Sequence, residues 1–344
     1  METILLLAHT DAGGGLPKAA LEVLTAARTE LAGHTLVVGM VGAEVQTAAD
    51  QIAGCGAARI FGVTGEAFAQ SRYATDAAAA EALCRVSGAT VVLAPGTSRW
   101  SRVLPGVAYR LGGRVDTHAT GVSGLGGVVS LSRWFYRQRM EAVLTRTQRP
   151  WVVLLDPGCY APYEGAPGQA TVEAVAVAAP ESRTTVTGVQ APKADEQTIR
   201  PDAPLLFVAG AGWTKKQADG VPHPAEAEQL ILGFLRVAQA SLGSSKSLVD
   251  LSGEGQEVLR FMTHLNQVGQ TGSTPRHPKG LSTCCHGEEP HVVGWRFVTE
   301  RRAINLDANC GWARGKADVL YVADAFAVIR KVNDLLAQRA GAAA

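Results

Sequence analysis

Apolar positions in the first half of the chain fall into two alternating kinds of run. Short unbroken runs, at residues 3–8, 34–41, 58–63 and 90–94, have the character of strands buried on both faces. Between them lie longer stretches with helical character, at 17–31, 73–86 and 103–111, the last closed by Gly112-Gly113. Pro17 stands at the first turn of the first helix and Gly33 beyond its end, where each residue type suits a helix terminus. This alternation predicts a βαβ layer of parallel strands. After residue 113 the pattern turns to strand-like runs at 126–131, 141–144, 151–155 and 171–178, which predict extra strands.

Residues 181–204 differ in kind, being rich in Thr, Lys, Asp, Glu and Pro with few large apolar residues, the composition of a linker. A second α/β unit, expected over residues 205–337, opens with a strand at 205–209 and the turn Gly210-Ala-Gly212. Leu230, Ile231, Phe234, Leu235 and Val237 give residues 225–241 helical spacing. Strands are predicted at 281–284, 302–306 and 319–322, and a closing helix at 326–336. The expected organisation is thus a first domain of residues 1–180, a linker at 181–204 and a second domain at 205–337. Open parallel sheets bind ligands at the carboxyl ends of their strands, so the second unit is where a nucleotide would sit. Neither a GxGxxG pattern nor a P-loop follows any strand, so neither standard fingerprint applies.

Composition narrows the function class without naming one. At 344 residues the chain exceeds one ordinary domain, and 47% hydrophobic against 18% charged residues argues for packed cores and not for disorder. A net charge of +1 gives no bulk electrostatic case for binding nucleic acid or an anionic membrane surface. The apolar start lacks a basic flank and runs straight into His9, Thr10 and Asp11, so it reads as a buried first strand and not a signal peptide. No apolar run reaches the length that spans a bilayer, and the six scattered cysteines read as thiols. These features predict a cytoplasmic protein without membrane insertion.

Three segments of the second half carry the chemistry: Gly243-Ser-Ser-Lys-Ser-Leu-Val-Asp250, Gln267-Val-Gly-Gln-Thr-Gly272 and Arg302-Ala-Ile-Asn-Leu-Asp307. In this order they resemble the FAD-binding domain of electron-transfer flavoprotein α subunits. The first matches that family's Gly-Ala-Ser-Arg-x-x-Val-Asp segment. Its Val-Gly-Gln-Thr-Gly and Ala-Ile-Asn-x-Asp segments are intact, and its closing Ala-Asp pairs fall at Ala317-Asp318 and Ala323-Asp324. The first half fits the family more diffusely, through residues 21–28, 93–97 and 108–117. The resemblance implies an α/β fold of two domains: an N-terminal nucleotide-binding-like layer with extra strands, and a C-terminal Rossmann-like FAD-binding domain. It further implies an electron carrier with FAD as cofactor and a β subunit as its partner in a heterodimer. Electrons would come from a flavin dehydrogenase and pass to a quinone oxidoreductase or another acceptor.

Residue by residue, the resemblance puts Ser245 and Lys246 beside the isoalloxazine, with lysine in the place of an arginine. A cation there is worth about 4 kcal/mol to an anionic ring at ~4 Å and an effective dielectric near 20, though without the planar stacking of arginine. Gln270 and Thr271 correspond to hydrogen bonders at the flavin edge, with Gly272 closing their turn. His291 corresponds to a histidine facing the pyrimidine carbonyl. Asn305 and Asp324 fall at the ribose and adenine end, with Asp307 completing the same motif. The pattern breaks at the glycine loop whose amides hold the FAD phosphates, where this chain has Cys284-Cys-His-Gly-Glu-Glu-Pro-His291 and keeps only Gly287 and His291. Glu288 and Glu289 would occupy the helix's own positive end and repel a pyrophosphate, and Pro290 removes an amide donor. The arginine expected after the first glycine turn is also missing, its place falling on Gly212. Three readings stay open: FAD held with help from Lys215, Lys216, Arg276 or Lys279; a flavin-free docking subunit; or a metal or redox site at Cys284, Cys285, His286, His291 and Cys310.

Overall fold

A computed structural model describes residues 1–135, 140–181, 183–188, 199–200, 202–250, 259–269, 274, 276–283 and 298–342. The chain forms two compact units, Met1–Gln190 and Ala191–Ala344. Both are α/β, the first built on a large mixed sheet and the second on a smaller parallel one. No helix among the described residues is long and apolar enough to cross a membrane.

In the first unit nine strands lie in the order β7-β6-β5-β8-β4-β1-β2-β3-β9 among the described residues. They are β1 (Thr3–His9), β2 (Thr35–Gly42), β3 (Arg59–Thr64), β4 (Val91–Pro95), β5 (Arg114–Ser123), β6 (Ser130–Phe135), β7 (Met140–Leu144), β8 (Trp151–Leu155) and β9 (Glu173–Ala174). Pairing is parallel from β9 to β5, and the β6–β7 hairpin adds two antiparallel strands at one edge. The unbroken apolar run of β1 follows from helices on both faces. Ile4, Leu6 and Ala8 pack with Val23, Leu24 and Ala27 of helix α1 (Lys18–Glu30). Leu5 and Leu7 pack on the other face, with Leu83 of a helix at Tyr73–Ser87 and with Trp100 and Val103 of a helix at Ser98–Arg110.

Element boundaries depart from the apolar pattern where local chemistry intervenes. The helix expected at 103–111 begins at Ser98, because Thr97 caps it by accepting a hydrogen bond from Trp100 N at 3.5 Å, and Pro105 is tolerated inside it. The strand expected at 126–131 starts at Ser130, since Gly126 and Gly127 sit at φ 65° and 78° in a tight turn that a strand cannot include. Only Glu173–Ala174 of the run at 171–178 pairs, as an edge strand beside β3. Strand β5 is absent from the apolar pattern. It carries a bulge between Asp116 and Ala119 that holds His118 at φ 55°, its ring 3.3 Å from Asp156.

Asp116 is the electrostatic tie of this edge. It is 5% exposed and accepts from Arg146 Nε and Nη2 at 2.9 Å and from Trp151 Nε1 at 2.9 Å, with Arg133 Nη1 at 3.6 Å. Burial pushes its pKa up, but the hydrogen bonds from Arg146 and Trp151 outweigh it and hold the carboxyl below its usual value. Cys84 is buried behind the helix layer, and burial pushes its thiol up to about 12, so it is inert at neutral pH.

The second unit has five strands, all parallel, in the order β11-β10-β12-β13-β14 among the described residues. They are β10 (Leu205–Ala209), β11 (Ser241–Ser244), β12 (His277–Thr283), β13 (Val298–Asn305) and β14 (Val319–Val322). Numbered within the unit this is 2-1-3-4-5, a doubly wound order whose switch point lies between β10 and β12. Phe207 and Ala209 face a core with Ile231 and Phe234 of the helix Pro224–Ala238 and Ile329 of the closing helix Ala325–Ala342. Leu206 and Val208 point the other way, onto Val268, Val298 and Ile199. The helix expected at 225–241 ends at Ala238 because Gln239 turns left-handed, at φ 50°, and frees Ser241–Ser244 to become β11. Trp213, fully buried, closes this core with its ring 4.6 Å from Phe326 and 6.5 Å from Phe207.

Two outcomes follow from these contacts. Trp213→Ala empties a fully buried site and should destabilise the second unit by about 3–5 kcal/mol in urea unfolding. Asp116, with its pKa depressed in the folded state, adds stability above the ordinary carboxylate pKa that is lost as pH falls through the folded value. Asp116→Asn should therefore cost about 1.5–3 kcal/mol at neutral pH, through the charged hydrogen bonds it weakens with half-exposed Arg146, and flatten the acid limb of the stability–pH curve.

Candidate functional site

One row of residues crosses the carboxyl edge of the second sheet. Ser244 lies opposite Ala209, Ala209 opposite Thr283, Thr283 opposite Ile304, and Ile304 opposite Tyr321. The row marks where five strands end together, and the residues just beyond it are the ones a ligand would meet. Gly210 opens the turn after β10, with its amide donating to Thr283 O at 3.4 Å. Gly212 is buried in the 3₁₀ turn Ala211–Thr214. Its carbonyl accepts from Gln217 Nε2 at 3.0 Å and Lys215 N at 3.4 Å, so the turn closes on itself. Trp213 Nε1 donates to Thr283 Oγ1 at 2.8 Å, and that hydroxyl donates to Val208 O at 2.9 Å. The turn is thereby pinned across the switch point by a core indole, in the neighbourhood where the family resemblance expected an arginine.

The first two chemistry-bearing segments meet. Ser244 bridges Gln267 in a parallel β-bridge, and its carbonyl accepts from Val268 N at 3.0 Å. Gly243 is required there, because a Cβ would stand 2.6 Å from Val268 Cγ2. Gly269, at φ 78°, then turns the chain and donates to Thr274 Oγ1 at 2.6 Å. Gln270, Thr271 and Gly272 follow but lie outside the described residues, as do Gly287, His291 and the vicinal Cys284 and Cys285.

Ser245 is fully buried, its amide on Ala209 O at 2.8 Å and its hydroxyl accepting from Leu248 N at 3.3 Å. Lys246 opens the short helix Lys246–Asp250, and its ammonium is ion-paired with Asp250 at the far end of the same turn. Asn305 ends β13. It is 1% exposed, its Oδ1 accepts from Asp307 N at 2.9 Å, and its Nδ2 has no hydrogen-bond partner among the described residues. Asp307 spends a carboxylate oxygen on Asn309 N at 2.8 Å. Asp324 caps the closing helix, accepting from Ala327 N at 2.8 Å. A structural duty thus accounts for the contacts of Asp307 and Asp324, whereas Asn305 Nδ2 has no such duty among the described residues.

Sequence reasoning passed over Ser244. Its hydroxyl is buried and without a partner among the described residues, at the same carboxyl edge as Asn305 Nδ2. Nothing in Ser-Leu-Gly-Ser marks a strand, so the signal was lost at the helix end. Three strand steps separate β11 from β13, roughly 14 Å at ~4.8 Å per strand. Two unsatisfied buried polar groups are costly unless something outside the chain meets them. Ser244 faces the same side as Phe207 and Ala209, and Asn305 the opposite side with Ala303. A ligand that meets both therefore lies across the strand ends, as an elongated one with hydrogen-bonding groups at both ends, such as a dinucleotide, does. No group of three or more His, Cys, Asp or Glu side chains among the described residues could hold a metal ion.

The fold and this edge define a two-unit α/β protein whose second sheet has the doubly wound, ligand-binding order. The electron transfer flavoprotein domain family matches the chain over residues 4–180, and the chain belongs to that family. The match lies in the first unit and does not distinguish an α from a β subunit, while every candidate site residue lies beyond it. Proteins of this family bind flavin and serve in electron transfer. A search of curated proteins found no match.

The Asp324 cap is separable from any ligand contact. Asp324→Ala should lower stability by about 1 kcal/mol in urea unfolding of the flavin-free protein, with Asp324→Asn recovering most of it.

Proposed function

We propose that the chain is an α-type electron-transfer flavoprotein subunit that holds one FAD at the carboxyl edge of its second sheet. The observation that carries this reading is the pair of unsatisfied buried groups, Ser244 Oγ and Asn305 Nδ2, flanking the switch point. Family membership supports it, as does the collinear order of the three segments. In this reading residues 1–180 form the subunit-contact domain, 181–204 a linker and 205–337 the flavin domain.

The chain's own groups then have defined tasks. Asn305 donates from Nδ2 and Ser244 offers its hydroxyl, so both lose their desolvation penalty when the ligand enters. Gly212 and the pinned turn keep side-chain bulk away from the strand ends. Ser245 holds the start of the helix Lys246–Asp250 in place, and Lys246 supplies positive charge at that end. Gln270, Thr271, Gly272, Gly287 and His291 complete the proposed contact set, with Asp307 and Asp324 at the Asn305 end. When bound, FAD supplies reversible uptake of electrons. Electrons would arrive from a flavin dehydrogenase and leave to a quinone oxidoreductase or another acceptor, with a β subunit as heterodimer partner in the cytoplasm.

The altered loop from Cys284 to His291 favours a second reading, a flavin-free docking subunit on the same fold. Co-expression with a β-type subunit and purification of the complex separates the two. The visible bands of an oxidised flavin, with one FAD per heterodimer, support the carrier; a colourless complex supports the docking subunit. Asn305→Leu should weaken flavin retention about tenfold, equivalent to one hydrogen bond of ~1.4 kcal/mol. An unchanged flavin affinity in that variant would remove Asn305 from the contact set.

A further inference from the structure

The cation that follows β11 is not a lone charge. Lys246 stands two residues beyond the unsatisfied Ser244 hydroxyl, at the mouth of the edge where the proposed flavin sits. Its ammonium is tied to Asp250 Oδ2 one helical turn on. The other oxygen of that carboxylate, Oδ1, faces His264 Nδ1 at 3.7 Å, from the turn His264–Asn266. Asp250 is 33% exposed against 64% for Lys246 and 56% for His264, so the carboxylate is the more enclosed centre of the cluster and the two bases are its more exposed partners. The turn bearing His264 leads directly into Gln267 and Val268, which join β11 through Ser244. The cluster therefore ties the first of the three segments to the turn that leads into the second.

The field of an ion pair falls off faster with distance than that of a single charge, because the two contributions oppose each other. A ligand beside Lys246 senses the difference between the ammonium and the carboxylate that holds it. We propose that Asp250 is a positioning residue that sets the flavin's reduction potential by restraining and partly cancelling the Lys246 cation. This rests on the flavin reading above and adds to it the residue that limits the cation's effect.

The test is a double-mutant cycle read as the flavin midpoint potential in the purified, flavin-loaded complex, using wild type, K246Q, D250N and K246Q/D250N, with D250E as the conservative control. Asp250→Asn should move the potential in the positive direction, and Asp250→Glu should restore it towards wild type. Lys246→Gln should move it negative, by more in the Asp250→Asn background than in the wild-type background. An unchanged or more negative potential in D250N, or strictly additive shifts, overturns the proposal and leaves the flavin reading standing. Loss of flavin from both D250N and D250E, with K246Q still loaded, also overturns it, by making Asp250 a structural support. A wild-type complex without flavin defeats both readings together.

Discussion

The candidate site depends on a single parallel register, the one that sets Ser244, Ala209, Thr283 and Ile304 side by side. Parallel strands cannot be joined by tight turns, so each must return through a crossover, and all of them end at the same edge. The doubly wound order makes the chain leave β10 and β12 in opposite directions, which opens a crevice between their ends. The register is locked by the chain Trp213–Thr283–Val208, an indole to a hydroxyl to a carbonyl, within a core of Phe207, Phe234 and Phe326. A slip of one residue would turn Phe207 and Ala209 out of that core, so hydrophobic burial and site geometry are the same constraint.

The two units divide the information about function. The first carries the family match, and its described chemistry is structural: Asp116 bound by Arg146 and Trp151, Asp76 bound by Arg99, and helices covering both faces of the sheet. The second carries Ser244 Oγ and Asn305 Nδ2, two buried groups at the carboxyl edge of one sheet without partners among the described residues. Buried polar groups without partners each cost free energy, and the proposed ligand is placed where two of them lie at one sheet edge. Lys246 and Asp250 add charge to that edge as a coupled pair.

Much of the architecture was legible along the chain. The strands of residues 3–8, 90–94, 151–155 and 205–209 agree closely with those observed, because strands covered on both faces need uninterrupted apolar residues, and the exposed edge strand at 319–322 is also found where the pattern put it. Less legible were elements decided by a single backbone conformation. The left-handed Gln239 ends a helix that apolar spacing would continue, and the bulge at His118 interrupts a strand with little apolar signal. Asn305 was named from its motif and its Nδ2 has no partner among the described residues, whereas Gly212, Asp307 and Asp324 are engaged within the fold. Ser244 was missed, since a hydroxyl's lack of a partner depends on neighbours distant in sequence.

By itself the sequence determined the α/β class and the division into two α/β units, because those depend on the periodicity of burial. Tertiary structure alone decided which polar atoms stay unsatisfied and that Trp213 pins the turn beneath the crevice. Each of those is a balance between partners on different strands and turns, and a hydrogen bond or ion pair across a sheet leaves no trace in the order of residues along the chain.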